Sequence, residues 1–162
     1  SLGLVCVYPL MKRITYWPQA FLGLTFNWGA LLAWCAVTGS VGWPAILMYV
    51  AGFHWTLGYD TVYGHQDKED DVMVGVKSAS IKLGRNTCPF VAVVYTITVI
   101  LLAVAGSGAG MGWFYFLMLG AAAAQFIWQV ATLDIDKPKN CLARFKSNRD
   151  VGLMIFLGAL LG

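Results

Sequence analysis

The chain has 162 residues, of which 59% are hydrophobic and only 12% are charged. Soluble domains carry about 25% charged residues, so this composition excludes an ordinary water-facing surface and favours a protein that lies in a lipid bilayer. The net charge of +3 comes from basic residues that are scattered among acidic ones, which argues against a nucleic-acid-binding surface.

Apolar runs along the chain predict an all-α, multi-span bundle of transmembrane helices. A span needs about 20 mostly apolar residues. In chain order, the sequence has the end of one span, four further spans and the start of another at residues 1–8, 15–38, 43–59, 88–106, 111–132 and 151–162. Both ends of the chain lie inside apolar runs, so we expect a fragment truncated at both ends, with residues 1–162 forming one domain.

The loops between these spans alternate in charge. Residues 39–42 and 106–110 are short, glycine-rich and uncharged, whereas residues 11–14, 60–87 and 133–150 contain all 11 basic and all 8 acidic residues. Because successive spans alternate in direction, we expect the three charged loops to share one face of the membrane. The positive-inside rule places that face toward the cytoplasm or the equivalent matrix side of an organelle.

The span at residues 43–59 is short for a bilayer. Its 17 residues would extend about 26 Å as a helix, against a hydrocarbon core of roughly 30 Å. We therefore expect the helix to continue past Tyr59 and to carry Asp60 and Tyr63 to the membrane boundary.

Five acidic residues lie between Asp60 and Asp71. On a continuous helix, Asp60, Asp67 and Asp71 fall within about 40° of one another with Tyr63 beside them, while the other two acids point elsewhere. Three carboxylates on one face repel one another, and a divalent cation would relieve that repulsion. Carboxylate oxygens with room for water suit magnesium. A solvated acidic helix end is the alternative that this pattern leaves open.

Basic residues flank the acidic segment on the same predicted face. Lys12 and Arg13 precede the span at residues 15–38, and Lys77, Lys82 and Arg85 follow the acids. Carboxylates for magnesium together with cations for phosphate oxygens predict a diphosphate site. A role of Lys12 and Arg13 as a positive-inside topology signal is the alternative.

Several segments resemble one protein family. Tyr8–Gln19 (YPLMKRITYWPQ) resembles a signature of the UbiA-type aromatic prenyltransferases. Tyr59–Asp71, followed by Gly75–Ser78, resembles that family's second aspartate-rich motif, and Thr132–Asp136 and Phe145–Arg149 resemble its mitochondrial animal members. The resemblance covers essentially the whole chain and implies the UbiA fold of about nine helices. The family's first aspartate-rich motif is not in this sequence, so we expect it upstream.

The resemblance implies a magnesium-dependent enzyme that transfers a polyprenyl group from an allylic diphosphate to the ring of 4-hydroxybenzoate in ubiquinone biosynthesis. It implies that Asp67 and Asp71 are catalytic residues and magnesium ligands, and that Arg13 is also catalytic. The residues expected to bind substrate are Lys12, Arg13, Tyr63, Asp60 and Lys77.

The same resemblance implies polyprenyl diphosphate, 4-hydroxybenzoate and the lipid bilayer as partners, and it leaves open an association with other ubiquinone-synthesis proteins. We expect the mitochondrial inner membrane, with the charged loops on the matrix side. An inactive prenyltransferase fragment and a membrane transporter are the alternatives. Transporters place ionisable groups near the middle of the membrane, whereas the strongly polar residues inside these spans are Asn27, His54, Gln125 and Gln129, which argues against transport.

Overall fold

The protein is described by a computed structural model that covers residues 2–162 and leaves out the side chains of residues 2, 4–6, 8–9, 69–70 and 72. Within this part of the chain every regular element is a helix, which confirms the all-α prediction. The helices are α1 (Leu2–Ile14), α2 (Pro18–Phe26), α3 (Trp28–Thr38), α4 (Trp43–Tyr63), α5 (Lys68–Val74), α6 (Ala79–Leu83), α7 (Thr87–Gly108), α8 (Trp113–Ala131) and α9 (Pro138–Leu161), with a 3-10 turn at Gly84–Asn86.

Three helical stretches in the described range are long and apolar enough to cross a membrane, and they correspond to three of the predicted spans. They are Pro18–Thr38, Ala79–Gly108 and Trp113–Ala131. Helix α4 has 21 residues, and its length of about 32 Å also matches a bilayer. As expected, it continues past Tyr59 and includes both Asp60 and Tyr63.

The predicted span at residues 15–38 consists of two helices, because the helix is interrupted at Asn27. The backbone of Asn27 leaves helical geometry with φ −90° and ψ 4°. Its side-chain Nδ2 donates to the carbonyl oxygen of Gly23 at 2.7 Å and to Oγ1 of Thr56, on α4, at 3.1 Å. The polar side chain inside this span therefore joins α2 to α4.

Helix α4 lies at the centre of the bundle and packs most extensively against α7, while also contacting α2, α3 and α9. Gly58 allows this close approach, because a Cβ at that position would lie 2.5 Å from Cε1 of Tyr95 on α7. The Tyr95 ring stacks on Phe126 of α8, with ring centroids 4.1 Å apart. These close contacts between small and aromatic residues are typical of helices that associate inside membranes.

The start of α9 corrects one prediction. Residues 133–150 were expected to form a charged loop with a span opening at residue 151, but α9 already begins at Pro138. Proline is well accommodated in the first turn of a helix, and Cys141, Asn148 and Val151 are buried on one side of α9. The charged residues in this segment lie on the first half of a long helix whose inner face packs on the core.

The charged segments meet at one end of the bundle. The backbone N–H of Lys77 donates to the carbonyl oxygen of Lys12 at 2.9 Å, and the charge of Asp136 acts on His65. At the other end, Gly112 N donates to the carbonyl oxygen of Gly162 at 3.3 Å. This arrangement agrees with the predicted alternation of charged and uncharged connections.

The two ends of the bundle should be accessible from opposite sides of the membrane. Lys139 and Ser107 are exposed at the charged and uncharged ends. In a protein whose native cysteines are replaced, we expect a membrane-impermeant maleimide to label Lys139→Cys and Ser107→Cys from opposite sides of sealed vesicles. Labelling of both from the same side would contradict the alternating topology.

Candidate active site

A cavity of about 110 Å³ lies at the charged end of the bundle. Six of the seven residues predicted for the site line it, although they come from four separate segments. The full lining is Lys12, Pro18, Gln19, Asp60, Tyr63, Gly64, Asp67, Asp71, Val76, Lys77 and Ser78. The structure therefore brings together carboxylates, ammonium groups and a phenol in one small space.

The three carboxylates line one cavity for a different reason from the one that the sequence indicated. A continuous helix from Asp60 to Asp71 was assumed, but α4 ends at Tyr63 and α5 begins at Lys68. A turn over residues 64–67 separates these helices. Asp67 then precedes α5, where its carbonyl oxygen accepts from the backbone N–H of Asp71 at 2.9 Å. This turn, together with the i, i+4 spacing of Asp67 and Asp71, brings the carboxylates to one cavity.

Lys77 fastens the 75–78 loop, which joins α5 to α6, to the end of α1. Its Nζ donates to the carbonyl oxygen of Ile14 at 3.2 Å and lies 5.6 Å from the centre of the Tyr16 ring. The backbone bond to Lys12 lies beside it. The last carbonyls of a helix lack partners within the helix, and here Lys77 satisfies one of them. The position of Lys12 at the cavity therefore depends on this loop.

The beginning of α6 is held by α2 and α4. The backbone N–H of Ala79 donates to Oε1 of Gln19 at 3.2 Å. The hydroxyl of Ser80 donates to the carbonyl oxygen of Thr61 at 2.8 Å. These buried bonds fix the side of the cavity that contains Ser78. Neither Gln19 nor Ser78 was predicted as a site residue, although both lie within segments that carry the family resemblance.

Arg13 is the one predicted site residue that does not line the cavity, and its side chain is exposed. Two other basic residues named from the sequence also lie outside: Lys82, whose Nζ is 5.2 Å from the centre of the Trp17 ring, and Arg85. The side chains of Glu69 and Asp70, predicted to point away from the acidic stripe, lie outside the described part of the chain.

The donor set fits a magnesium ion that shares its coordination with phosphate. Among the side chains that the structure describes, no three acidic, histidine or cysteine residues converge to form a complete cation site. Magnesium commonly takes only one or two carboxylates, with water and substrate phosphates completing its octahedron. Asp67 and Asp71 would offer carboxylate oxygens to such an ion, and Lys12 and Lys77, which line the same cavity, would offer N–H donors to a phosphate.

His65, which follows α4, links the end of that helix to the start of α7. It is 3% exposed, and its Nε2 lies 2.8 Å from Oγ1 of Thr87, whose hydroxyl donates to the carbonyl oxygen of Gly84. His65 Nε2–H is therefore the donor. Burial, reinforced by the charge of Lys68 and opposed by Asp136, lowers the pKa of His65 from 6.5 to about 4. The imidazole is neutral at pH 7 and joins the end of α4 to the start of α7.

The lowered pKa of His65 makes folding stability depend on pH in a defined window. Between pH 6.5 and about 4, the unfolded chain binds a proton at this histidine that the folded chain does not, so stability falls as the pH falls through this range. Above pH 6.5, His65 contributes no slope. We expect the thermal unfolding midpoint in detergent to fall toward pH 4 less steeply in His65→Gln than in the unchanged protein. Equal slopes in both proteins would contradict this assignment.

The chain was compared with known proteins. It is 50% identical to "4-hydroxybenzoate polyprenyltransferase, mitochondrial" of Aedes aegypti, in an alignment that covers 100% of this chain and 37% of that protein. It is 49% identical to the protein of the same name of Homo sapiens, with 100% and 44% covered. The chain thus spans about two fifths of the length of these curated relatives.

A solved structure supports the fold. A UbiA homolog from Aeropyrum pernix K1, in its apo form, superimposes with a TM-score of 0.80 at 22% identity, over 99% of this chain and 60% of that one. The sequence model of the UbiA prenyltransferase family matches residues 1–158. With nearly the whole chain matched by that model, this protein belongs to the UbiA prenyltransferase family.

Proposed function

We propose that this chain supplies the part of an aromatic polyprenyltransferase that binds the diphosphate of the prenyl donor. The observation that carries the proposal is the cavity in which Asp67, Asp71, Lys12 and Lys77 come together. The acceptor is 4-hydroxybenzoate, by similarity to the names of the relatives, and the pathway is ubiquinone biosynthesis. Residues 1–162 act as one domain of the enzyme.

The reaction is an electrophilic aromatic substitution. The allylic C–O bond breaks and both of its electrons leave with the diphosphate. The ring carbon ortho to the phenol of the acceptor then forms the new C–C bond and loses its proton. Magnesium, when bound, neutralises charge that develops on the leaving diphosphate. Asp67 and Asp71 are the residues of this chain that would hold it.

Two lysines of the cavity stabilise the leaving group. Lys12 presents an ammonium group to the cavity and favours negative charge there. Lys77 uses one of its three N–H donors on the Ile14 carbonyl, which leaves two for phosphate oxygens. Its contact with α1 also keeps Lys12 in place. Asp60 and Tyr63, near the end of α4, complete the polar lining.

An apolar cavity of about 260 Å³ next to α4 suits the prenyl tail. Met48, Gly52 and Trp55 line it from α4, and their spacing places them on one helix face. That face continues by i+4 steps through Tyr59 to Tyr63, which lines the polar cavity. The tail would follow α4 away from the charged end, while the diphosphate stays at the carboxylates.

The relatives carry the word mitochondrial in their names, and we propose the inner mitochondrial membrane for this protein, with the charged end on the matrix side. Association with other proteins of ubiquinone synthesis belongs to the same proposal. A transporter is not supported, because the acidic residues lie at one end of the bundle rather than along its interior.

Removing either proposed metal ligand should abolish most activity. In the full-length protein, we expect Asp67→Asn and Asp71→Asn each to lower magnesium-dependent prenyl transfer by about 100-fold or more, as loss of a contact to charge that develops in the transition state does. The measurement is transfer from a polyprenyl diphosphate in membranes, normalised to inserted protein.

The matched control is Asp136→Asn, because Asp136 is an exposed carboxylate at the same end of the bundle and does not line the cavity. It should retain near-normal activity. An equal loss in Asp136→Asn, or full activity in either of the other two variants, would refute the metal assignment. If the unchanged full-length protein lacks prenyl transfer, the alternative of an inactive prenyltransferase gains support.

Substitutions of Arg13 distinguish a role in binding the diphosphate from a role as a topology signal. A guanidinium can hold two phosphate oxygens at once, whereas an ammonium acts as a point charge. We expect Arg13→Lys to lower turnover with the allylic diphosphate about tenfold, a loss in the range expected for a hydrogen bond to a charged group, and Arg13→Gln to lower it further, with insertion unchanged in both. Full activity of both variants would leave Arg13 as a topology signal, in keeping with its exposed position.

A further inference from the structure

Gln19 is a buried amide on the cavity that the proposed mechanism does not use. It follows Pro18 in the first turn of α2, is only 5% exposed and lines the same cavity as the carboxylates. A buried side chain with this much hydrogen-bonding capacity normally has partners for both of its polar ends.

One end of the amide has a partner, and that partner fixes the orientation of the group. The backbone N–H of Ala79 can only donate, so the atom 3.2 Å from it must be the carbonyl oxygen Oε1. The amide nitrogen Nε2 therefore points away from α6. This assignment follows from the chemistry of the backbone donor, since oxygen and nitrogen of an amide are otherwise hard to tell apart.

The other end, Nε2, has two N–H donors. It donates to neither Asp60 nor Asp67, although both line the same cavity. A single acceptor at the cavity wall would use only one of these donors, so Gln19 keeps a donor for an oxygen that enters the cavity.

We propose that Gln19 is a further ligand-binding residue of this site, whose Nε2 donates a hydrogen bond to an oxygen of the prenyl donor's diphosphate. The inference rests on the proposed function. A neutral amide suits this position, because it can hold a phosphate oxygen without repelling a cation at Asp67 and Asp71. A third ammonium beside Lys12 and Lys77 would repel that cation.

The bond to Ala79 keeps the donor oriented before ligand arrives. An oriented side chain loses less conformational freedom on binding than a mobile one, so the Gln19–Ala79 pair favours tight binding. The same bond gives Gln19 a possible purely structural role. A test must therefore separate loss of the donor from loss of the connection between α2 and α6.

Two substitutions make this separation. Gln19→Glu keeps an oxygen for the Ala79 N–H but replaces the Nε2 donor with a carboxylate oxygen. Gln19→Met has similar length and no charge, and it removes both functions. Asn86→Asp is the matched control, because it makes the same change from amide to carboxylate at an exposed residue of the 3-10 turn that does not line the cavity.

The measurement is the Kd of inorganic pyrophosphate for the full-length protein in nanodiscs, with and without Mg²⁺, together with the Kd of Mg²⁺ alone. Without metal, the carboxylate of Gln19→Glu has no cation to share with the ligand and can only weaken binding. We expect both Gln19 variants to lose at least tenfold in pyrophosphate affinity, the range for a hydrogen bond to a charged group. Asn86→Asp should lose less than threefold, and Gln19→Met should bind Mg²⁺ alone normally.

Each other outcome overturns the assignment in an identifiable way. Unchanged affinity in metal-free Gln19→Glu with a loss in Gln19→Met would make Gln19 a structural connection only. Weaker binding of Mg²⁺ alone in Gln19→Met would mean that the amide orients the carboxylates. An equal loss in Asn86→Asp would show that the added negative charge, and not the lost donor, explains the effect. Failure of the unchanged protein to bind pyrophosphate would overturn the proposed function itself.

Discussion

A charged side chain at the centre of a bilayer costs about 2.5–3.5 kcal/mol, and this cost restricts the charged residues of the candidate site to an end of the bundle. Helix α4 meets this constraint because it has both a packed, apolar part and a polar end. It packs against α7 and α2 through small and aromatic residues, and its last turn brings Asp60 and Tyr63 to the charged end. The site can contain three carboxylates because it lies where the helices leave the hydrocarbon.

Three polar side chains deeper in the bundle are joined to one another, as a medium without water favours. Nε1 of Trp55 on α4 donates to Oδ1 of Asn148 on α9 at 2.8 Å, and Nδ2 of Asn148 donates to Oε1 of Gln129 on α8 at 3.3 Å. Three helices are thereby joined side chain to side chain. Such bonds between membrane helices are worth about 0.6 kcal/mol on average, so they set the alignment of the helices more than their stability.

The sequence predicted correctly those elements that depend on the length of apolar runs and on the position of charged residues. The span at residues 43–59 is short for a bilayer, and from this we correctly predicted that α4 extends to Tyr63. The predicted alternation of charged and uncharged connections agrees with the bundle. The sequence did not predict the break at Asn27, because that break depends on Thr56 of another helix. The start of α9 was predicted wrongly, because charged residues were taken as a sign of a loop, although lysine and arginine are good helix formers.

The sequence indicated which charged residues would lie near one another in the candidate site, but not which contacts bring them together. Carboxylates at Asp67 and Asp71 and the ammonium of Lys12 were expected together, and one cavity contains them. The turn after Tyr63, the anchoring of Lys77 on α1 and the amide of Gln19 depend on contacts between distant segments, for which periodicity contains no information. The role of His65 likewise depends on Thr87, 22 residues away.

The contact between the 75–78 loop and the helices before it also has a consequence for biosynthesis. The bonds that complete the cavity join residues 60 and 63 positions apart, Gln19 to Ala79 and Lys77 to Ile14. A ribosome adds about 5–20 residues per second, so α1 and α2 wait roughly 3–12 seconds, on that estimate, before their partners are made. Until Asp60, Asp67 and Asp71 are made, the cavity has no carboxylates to face Lys12. The order of synthesis is therefore first a cation, then the carboxylates, and then the loop that completes the cavity around both.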